Sequence, residues 1–117
     1  MIYITDNMFN GLAKELPKAG IECETANQLI WGDNDSSKKG RYDAEIFRFL
    51  LEKKYKVVPL ESPDEDYTII TADKDLVRYC REFDIDCEYI AQDKPPTKAE
   101  SKELAAMLIA KFSTNSM

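Results

Sequence analysis

Two apolar runs that each stop on aspartate constrain this chain more than any other feature. They are Ile2-Tyr3-Ile4-Thr5-Asp6 near the start and Tyr67-Thr68-Ile69-Ile70-Thr71-Ala72-Asp73-Lys74-Asp75 past the middle. Short continuous runs of this kind, rich in β-branched residues, read as strands buried on both faces, as in parallel sheets. Each run leads straight into a segment of helical spacing, so both strands are expected to point the same way and deliver Asp6, Asp73 and Asp75 to one edge. Open α/β sheets bind ligands just beyond the carboxyl ends of such strands. Carboxylates gathered there repel one another unless a cation neutralises them, which points to a divalent metal.

The rest of the chain alternates in the same manner. Residues 8–18 predict a helix through Met8, Leu12, Ala13 and Leu16, with Pro17 near its end and Gly20 as its stop. Residues 21–25 predict a strand, and the polar stretch 32–41 a loop. Residues 43–54 predict a strong helix: Asp43 and Glu45 at its start and Lys53 and Lys54 at its end suit the helix dipole, and Ile46, Phe49 and Leu50 form its apolar stripe. Val57-Val58 predicts a short strand ended by Pro59, followed by an acidic surface connection over residues 61–66. After Asp75, a helix carrying Leu76, Val77, Tyr79, Cys80 and Phe83 leads to a last strand over residues 87–90. Lys94-Pro95-Pro96-Thr97 reads as a rigid linker to a closing helix, residues 98–112, with Leu104, Met107, Leu108 and Phe112 facing inward. Residues 113–117 read as a frayed tail. The whole predicts one α/β domain over residues 1–112, built from two similar strand-helix-strand units, with a mainly parallel sheet covered by helices on both faces.

Composition narrows the chemistry. A chain of 117 residues holds one ordinary core, and a net charge of −6 argues against general nucleic-acid binding while leaving room for a local basic patch. No stretch approaches the length of a membrane span, and the start lacks the pattern of a signal peptide, so a cytoplasmic protein with no membrane partner is expected. Cys23, Cys80 and Cys87 are odd in number and lack CxxC spacing, which makes them reduced core residues. The chain has no histidine. That removes Ser-His-Asp and Cys-His nucleophiles, histidine-based zinc sites and histidine acid-base nucleases together.

Each carboxylate also has a local explanation. Asp6, Asp43 and Asp75 could each cap a helix, and Glu45 could complement a helix N-terminus. If Asp75 caps the third long helix, Asp73 is surplus to capping. Three blocks then carry a resemblance: Thr5-Asp6-Asn7 with Leu12-Ala13 and Gly20-Ile21; Asp43-Ala44-Glu45-Ile46; and Ile69-Ile70-Thr71-Ala72-Asp73-Lys74-Asp75-Leu76. In that order they resemble the PIN-like nucleases, in particular the small proteins grouped with the Mut7-C domain and with prokaryotic toxins. The resemblance covers roughly residues 1–112 and implies a PIN-like three-layer α/β fold. It implies a metal-dependent endoribonuclease using Mg²⁺ or Mn²⁺, with Asp6, Asp43, Asp73 and Asp75 as its acidic site and Glu45 as a further metal ligand. The chain departs from the pattern at Asn7, where the family carries a second acid, at Leu76, where phenylalanine is frequent, and in the extended connection 56–66. The zinc ribbon that often follows a Mut7-C domain is not expected from these residues.

Hard divalent cations prefer oxygen ligands and keep several waters, so a few carboxylates are enough to hold one against a phosphate. Asp6 and Asp73 are expected as direct ligands, with Asp43 and Asp75 completing the shell or orienting a water. The main basic concentration is Lys38-Lys39-Gly40-Arg41 with Arg48, Lys53, Lys54 and Lys56. Lys38, Lys39 and Arg41 are the candidate phosphate contacts, and Trp31 or Tyr42 a candidate stacking surface; a solvated loop beside a basic helix end explains the same charges. Two main readings follow: a ribonuclease acting on RNA, in one form the toxin of a toxin-antitoxin pair, with a homodimer as a compatible assembly; or a non-catalytic PIN-like module that binds nucleic acid or protein. A receiver-like phosphotransfer domain would need a phosphoacceptor aspartate with downstream Thr/Ser and Lys at a spacing the chain does not show.

Overall fold

The computed structural model describes residues 2–32, 43–55 and 67–115. Ile2–Thr5 (β1) and Tyr67–Thr71 (β3) are the two apolar runs, and they lie side by side in parallel, with Ile4 opposite Ile69 and Thr5 opposite Ile70. Cys23–Thr25 (β2) pairs with the outer side of β1, and Cys87–Tyr89 (β4) with the outer side of β3, both parallel. The order β2-β1-β3-β4 makes an all-parallel sheet. Alternate residues of a strand face opposite sides, so Ile4 and Ile69 enter one core while Ile70 enters the other.

Helices Ala26–Trp31 (α2), Asp43–Tyr55 (α3) and Lys74–Glu82 (α4) cover the first face through Ala26, Ile46, Leu50, Leu76 and Cys80. Leu12–Glu15 (α1), its flanking turns and Lys98–Asn115 (α5) cover the other through Phe9, Leu12, Leu16, Ala105 and Leu108. The result is a three-layer α/β fold. The two strand-helix-strand units step outward in opposite directions with their helices on opposite faces, as right-handed crossovers require.

The structure departs from the sequence reading in several places. The helix expected over residues 8–18 is broken into a 3₁₀ turn Asn7–Phe9, the single α turn α1, and a second 3₁₀ turn Leu16–Ala19. Pro17 lacks the N–H an α-helix would use there, and Gly20 at φ 82° closes the turn. Helix α2 was not anticipated: the Thr25 hydroxyl caps it by accepting from the Gln28 N–H at 3.1 Å, and Gly32 at φ 69° ends it. Helix α5 continues to Asn115, into the expected tail. Met107 is 52% exposed, and Ala105 and Ser101 take its expected place at the interior. Val57 and Val58, expected as a strand, lie outside the described residues.

Small residues face inward on α5 because α1 comes close. A Cβ added at Gly11, which caps α1, would overlap Ser101 Oγ and crowd Ser101 Cβ at 3.0 Å. Gly11→Ala is therefore expected to cost about 1–3 kcal/mol in urea unfolding, with part of the loss recovered when Ser101→Ala is added.

Candidate active site at the carboxyl edge of the sheet

The backbone carries β1 one residue past its end. Asp6 N–H donates to Ile70 C=O at 3.0 Å, and Asp6 C=O accepts from Phe9 N–H at 2.8 Å as the chain turns away. Asp6 thereby stands beside Thr71, the last residue of β3. The fully buried Thr71 hydroxyl donates to Asp6 Oδ2 at 2.8 Å and accepts from Asp73 N–H at 3.0 Å. One side chain thus joins the ends of the two central strands. In this strand order the connections diverge between β1 and β3, so Asp6 and Asp73 flank the crevice where open parallel sheets bind ligands.

Asp73 has extended backbone and caps α4: its Oδ1 accepts from Asp75 N–H at 2.8 Å and Leu76 N–H at 3.2 Å. This corrects the expectation that Asp75 is the cap. The helix starts at Lys74, so the N–H groups of Asp75 and Leu76 are among those that need an acceptor, and the residue before Lys74 supplies it. Asp75 sits in the first turn with an exposed carboxylate 3.5 Å from Arg78. Asp75, not Asp73, is the acid beyond the needs of capping.

Asp43 is the first residue of α3, and Glu45 is exposed in its first turn. Phe49, farther along α3, meets Tyr67 at the amino end of β3 with ring centroids 5.6 Å apart. At the end of α3 the Tyr55 hydroxyl donates to Phe83 C=O at 2.6 Å, just past the end of α4 and before β4 begins. Helix α3 therefore runs alongside α4 and against the strand direction, with its start toward the carboxyl edge. Among the described residues, no group of three or more Asp, Glu, His or Cys side chains is placed to hold a metal ion. Lys38, Lys39 and Arg41 lie outside the described residues.

The sequence signal for Thr71 is a hydroxyl two residues before an aspartate at a strand end, which strand patterning alone does not single out. Thr5 is fully buried at the end of β1, and its hydroxyl has no hydrogen-bond partner among the described residues. The cysteines are free thiols; Cys23 and Cys80 are buried as expected, whereas Cys87 is only half-buried. Burial pushes Cys23 and Cys80 up to about 12, with Glu24 adding to the shift at Cys23 and Cys87 at Cys80, so neither is a nucleophile at neutral pH.

No family model matches the chain, and comparison with curated proteins and with solved structures gives no match.

Thr71→Val removes both bonds that join Asp6 to Asp73, and is expected to cost about 1–3 kcal/mol in urea unfolding, whereas Thr71→Ser keeps the hydroxyl and costs about 1 kcal/mol or less. The thiols set a pH dependence. Their folded values lie above the ordinary 9.0, so folded and unfolded states both hold the protons below pH 9, and above it the unfolded chain releases them first. The urea midpoint is therefore expected to fall from pH 9 toward 12, with a shallower fall in Cys80→Ala.

Proposed function

We propose that the chain is a metal-dependent endoribonuclease of PIN-like type that uses Mg²⁺ or Mn²⁺ at the carboxyl edge of β1 and β3. The observation that carries this reading is the Thr71 bridge between Asp6 and Asp73 at the crevice between the central strands. Mg²⁺ is commonly held by one or two carboxylates together with waters and substrate phosphates, so Asp6, whose carboxylate is tied through Thr71 to the Asp73 backbone, and Asp73 itself fit it without a closed protein cage. Asp6 and Asp73 would hold the cation, with Asp75, two residues after Asp73, and Asp43, at the start of α3, as the acids that would orient water or complete the shell.

When bound, the cation supplies charge neutralisation and Lewis acidity toward a phosphodiester. The protein's own part is orientation. Thr71 fixes the Asp6 carboxylate, and two backbone N–H groups fix that of Asp73, so neither has to be ordered when substrate arrives. RNA as substrate and a cytoplasmic setting belong to this reading. In its toxin form, an antitoxin protein would cover the acidic edge. Among the described residues no helix is long and apolar enough to cross a membrane.

The capping duty of Asp73 favours the non-catalytic alternative, a nucleic-acid or protein-binding module, because it accounts for that acid without metal. One substitution separates the two. Asparagine caps a helix as well as aspartate, so Asp73→Asn keeps the fold and removes the charge. Purified protein is expected to cleave a mixed single-stranded RNA panel with Mg²⁺ or Mn²⁺ and not with EDTA. Asp73→Asn is expected to lose at least about 100-fold of that rate, the upper end of what outer-shell partners of a metal cost. No cleavage by the folded wild type, or equal cleavage by the variant, would overturn the assignment.

A further inference from the structure

Helix α4 leaves the candidate site carrying a basic stripe. Lys74, Arg78 and Arg81 are spaced i, i+4 and i+7, which places them on one face, and all three are exposed. Together with Val77, Glu82 and Tyr89 they line an open groove of about 540 Å³ between α4 and β4. Tyr89 is opposite Thr71 in the strand register and 38% exposed. The mouth of the groove is therefore level with the bridge between Asp6 and Asp73, and its floor runs back along the helix for about 10 Å at 1.5 Å per residue.

We propose that this groove is the track of the RNA strand leading to the site, with Lys74, Arg78 and Arg81 on phosphates and Tyr89 stacking on a base. This deepens the proposed nuclease reading and rests on it. Charge and shape together select the occupant. In a chain of net charge −6, three cations face one anion here, and an aromatic ring stands beside them. Single-stranded nucleic acid is bound by this combination of a basic groove and aromatic faces. The contact between Arg78 and Asp75 does not remove Arg78 from the track: at 3.5 Å, with both side chains mostly exposed, it is a loose pair that a phosphate can replace. The groove also gives an acidic centre a way to attract a polyanion, since steering charge lies beside the carboxylates and not among them.

The test reads binding without turnover. A fluorescent oligouridylate of about twelve nucleotides, within the range of single-strand site sizes, is titrated by anisotropy in EDTA over a series of salt concentrations. The combined variant Lys74→Gln, Arg78→Gln, Arg81→Gln is expected to bind about tenfold or more weakly at low salt. Its slope of log K against log salt is expected to be shallower by about two, the loss of three contacts at about 0.7 each. Tyr89→Leu is expected to bind about fivefold more weakly with the slope unchanged, and Asp73→Asn to bind at least as well as wild type. Circular dichroism checks that each variant is folded. An unchanged slope in the folded triple variant would overturn the track even where wild type cleaves RNA. Binding through the groove by a wild type that cleaves nothing would leave the track standing and remove the nuclease reading. Polyglutamate displacing the RNA as well as unlabelled oligouridylate does would assign the surface to acidic peptides and overturn the proposal.

Discussion

The parallel pairing of β1 with β3 is the constraint on which the rest depends. These two strands are buried by helices on both faces, so their register is held by two cores at once, Ile4 and Ile69 in one and Ile70 in the other. A slip of one residue would exchange every side chain between the cores and carry Thr71 away from Asp6. Because the pairing is parallel and the flanking strands are added outward on each side, the same register that closes the cores also opens a crevice between the strand ends. Folding energy and site geometry come from one set of contacts.

Asp73 shows what that economy demands of a single residue. Its carboxylate terminates α4 by accepting two backbone N–H groups, and its own N–H is held by the hydroxyl that also binds Asp6. A carboxylate fixed in this way is preorganised, which suits a metal ligand, but it is also explained by helix capping alone. The distinction lies in charge, because a cap needs only an oxygen whereas a divalent cation is held best by an anion. The basic stripe on α4 begins one residue later, so acid and base are sorted along the chain: the edge of the sheet is acidic, and the outer face of the next helix is basic.

The fold was legible wherever one residue type decided one element. Ile2–Thr5 and Tyr67–Thr71 were readable as buried parallel strands because strands covered on both faces cannot alternate polar and apolar residues. Asp43–Tyr55 was readable because its charges and its apolar stripe agree. Other elements were obscured by competing signals. Residues 8–18 have helical spacing, yet Pro17 withholds an N–H, Gly20 turns the chain away, and the segment folds as short turns. Helix α2 is six residues long, too short for a periodic pattern, and only the cap at Thr25 and the stop at Gly32 mark it. At the site, the positions of Asp6 and Asp73 followed from the strand ends. The division of labour between Asp73 and Asp75 did not, because it depends on a helix boundary shifted by one residue, and the Thr71 bridge depends on register across strands far apart in sequence.

Where a bound cation sits decides whether Asp73 is a metal ligand or a helix cap alone. Substoichiometric Mn²⁺ added to ¹⁵N-labelled protein broadens the amide signals nearest the ion. Selective loss is expected at Asp6, Asn7, Asp73 and Lys74, reversed by EDTA and abolished in Asp73→Asn. Broadening centred on other exposed acids such as Glu82, Asp84 and Asp86, or no selective broadening at all, would contradict it.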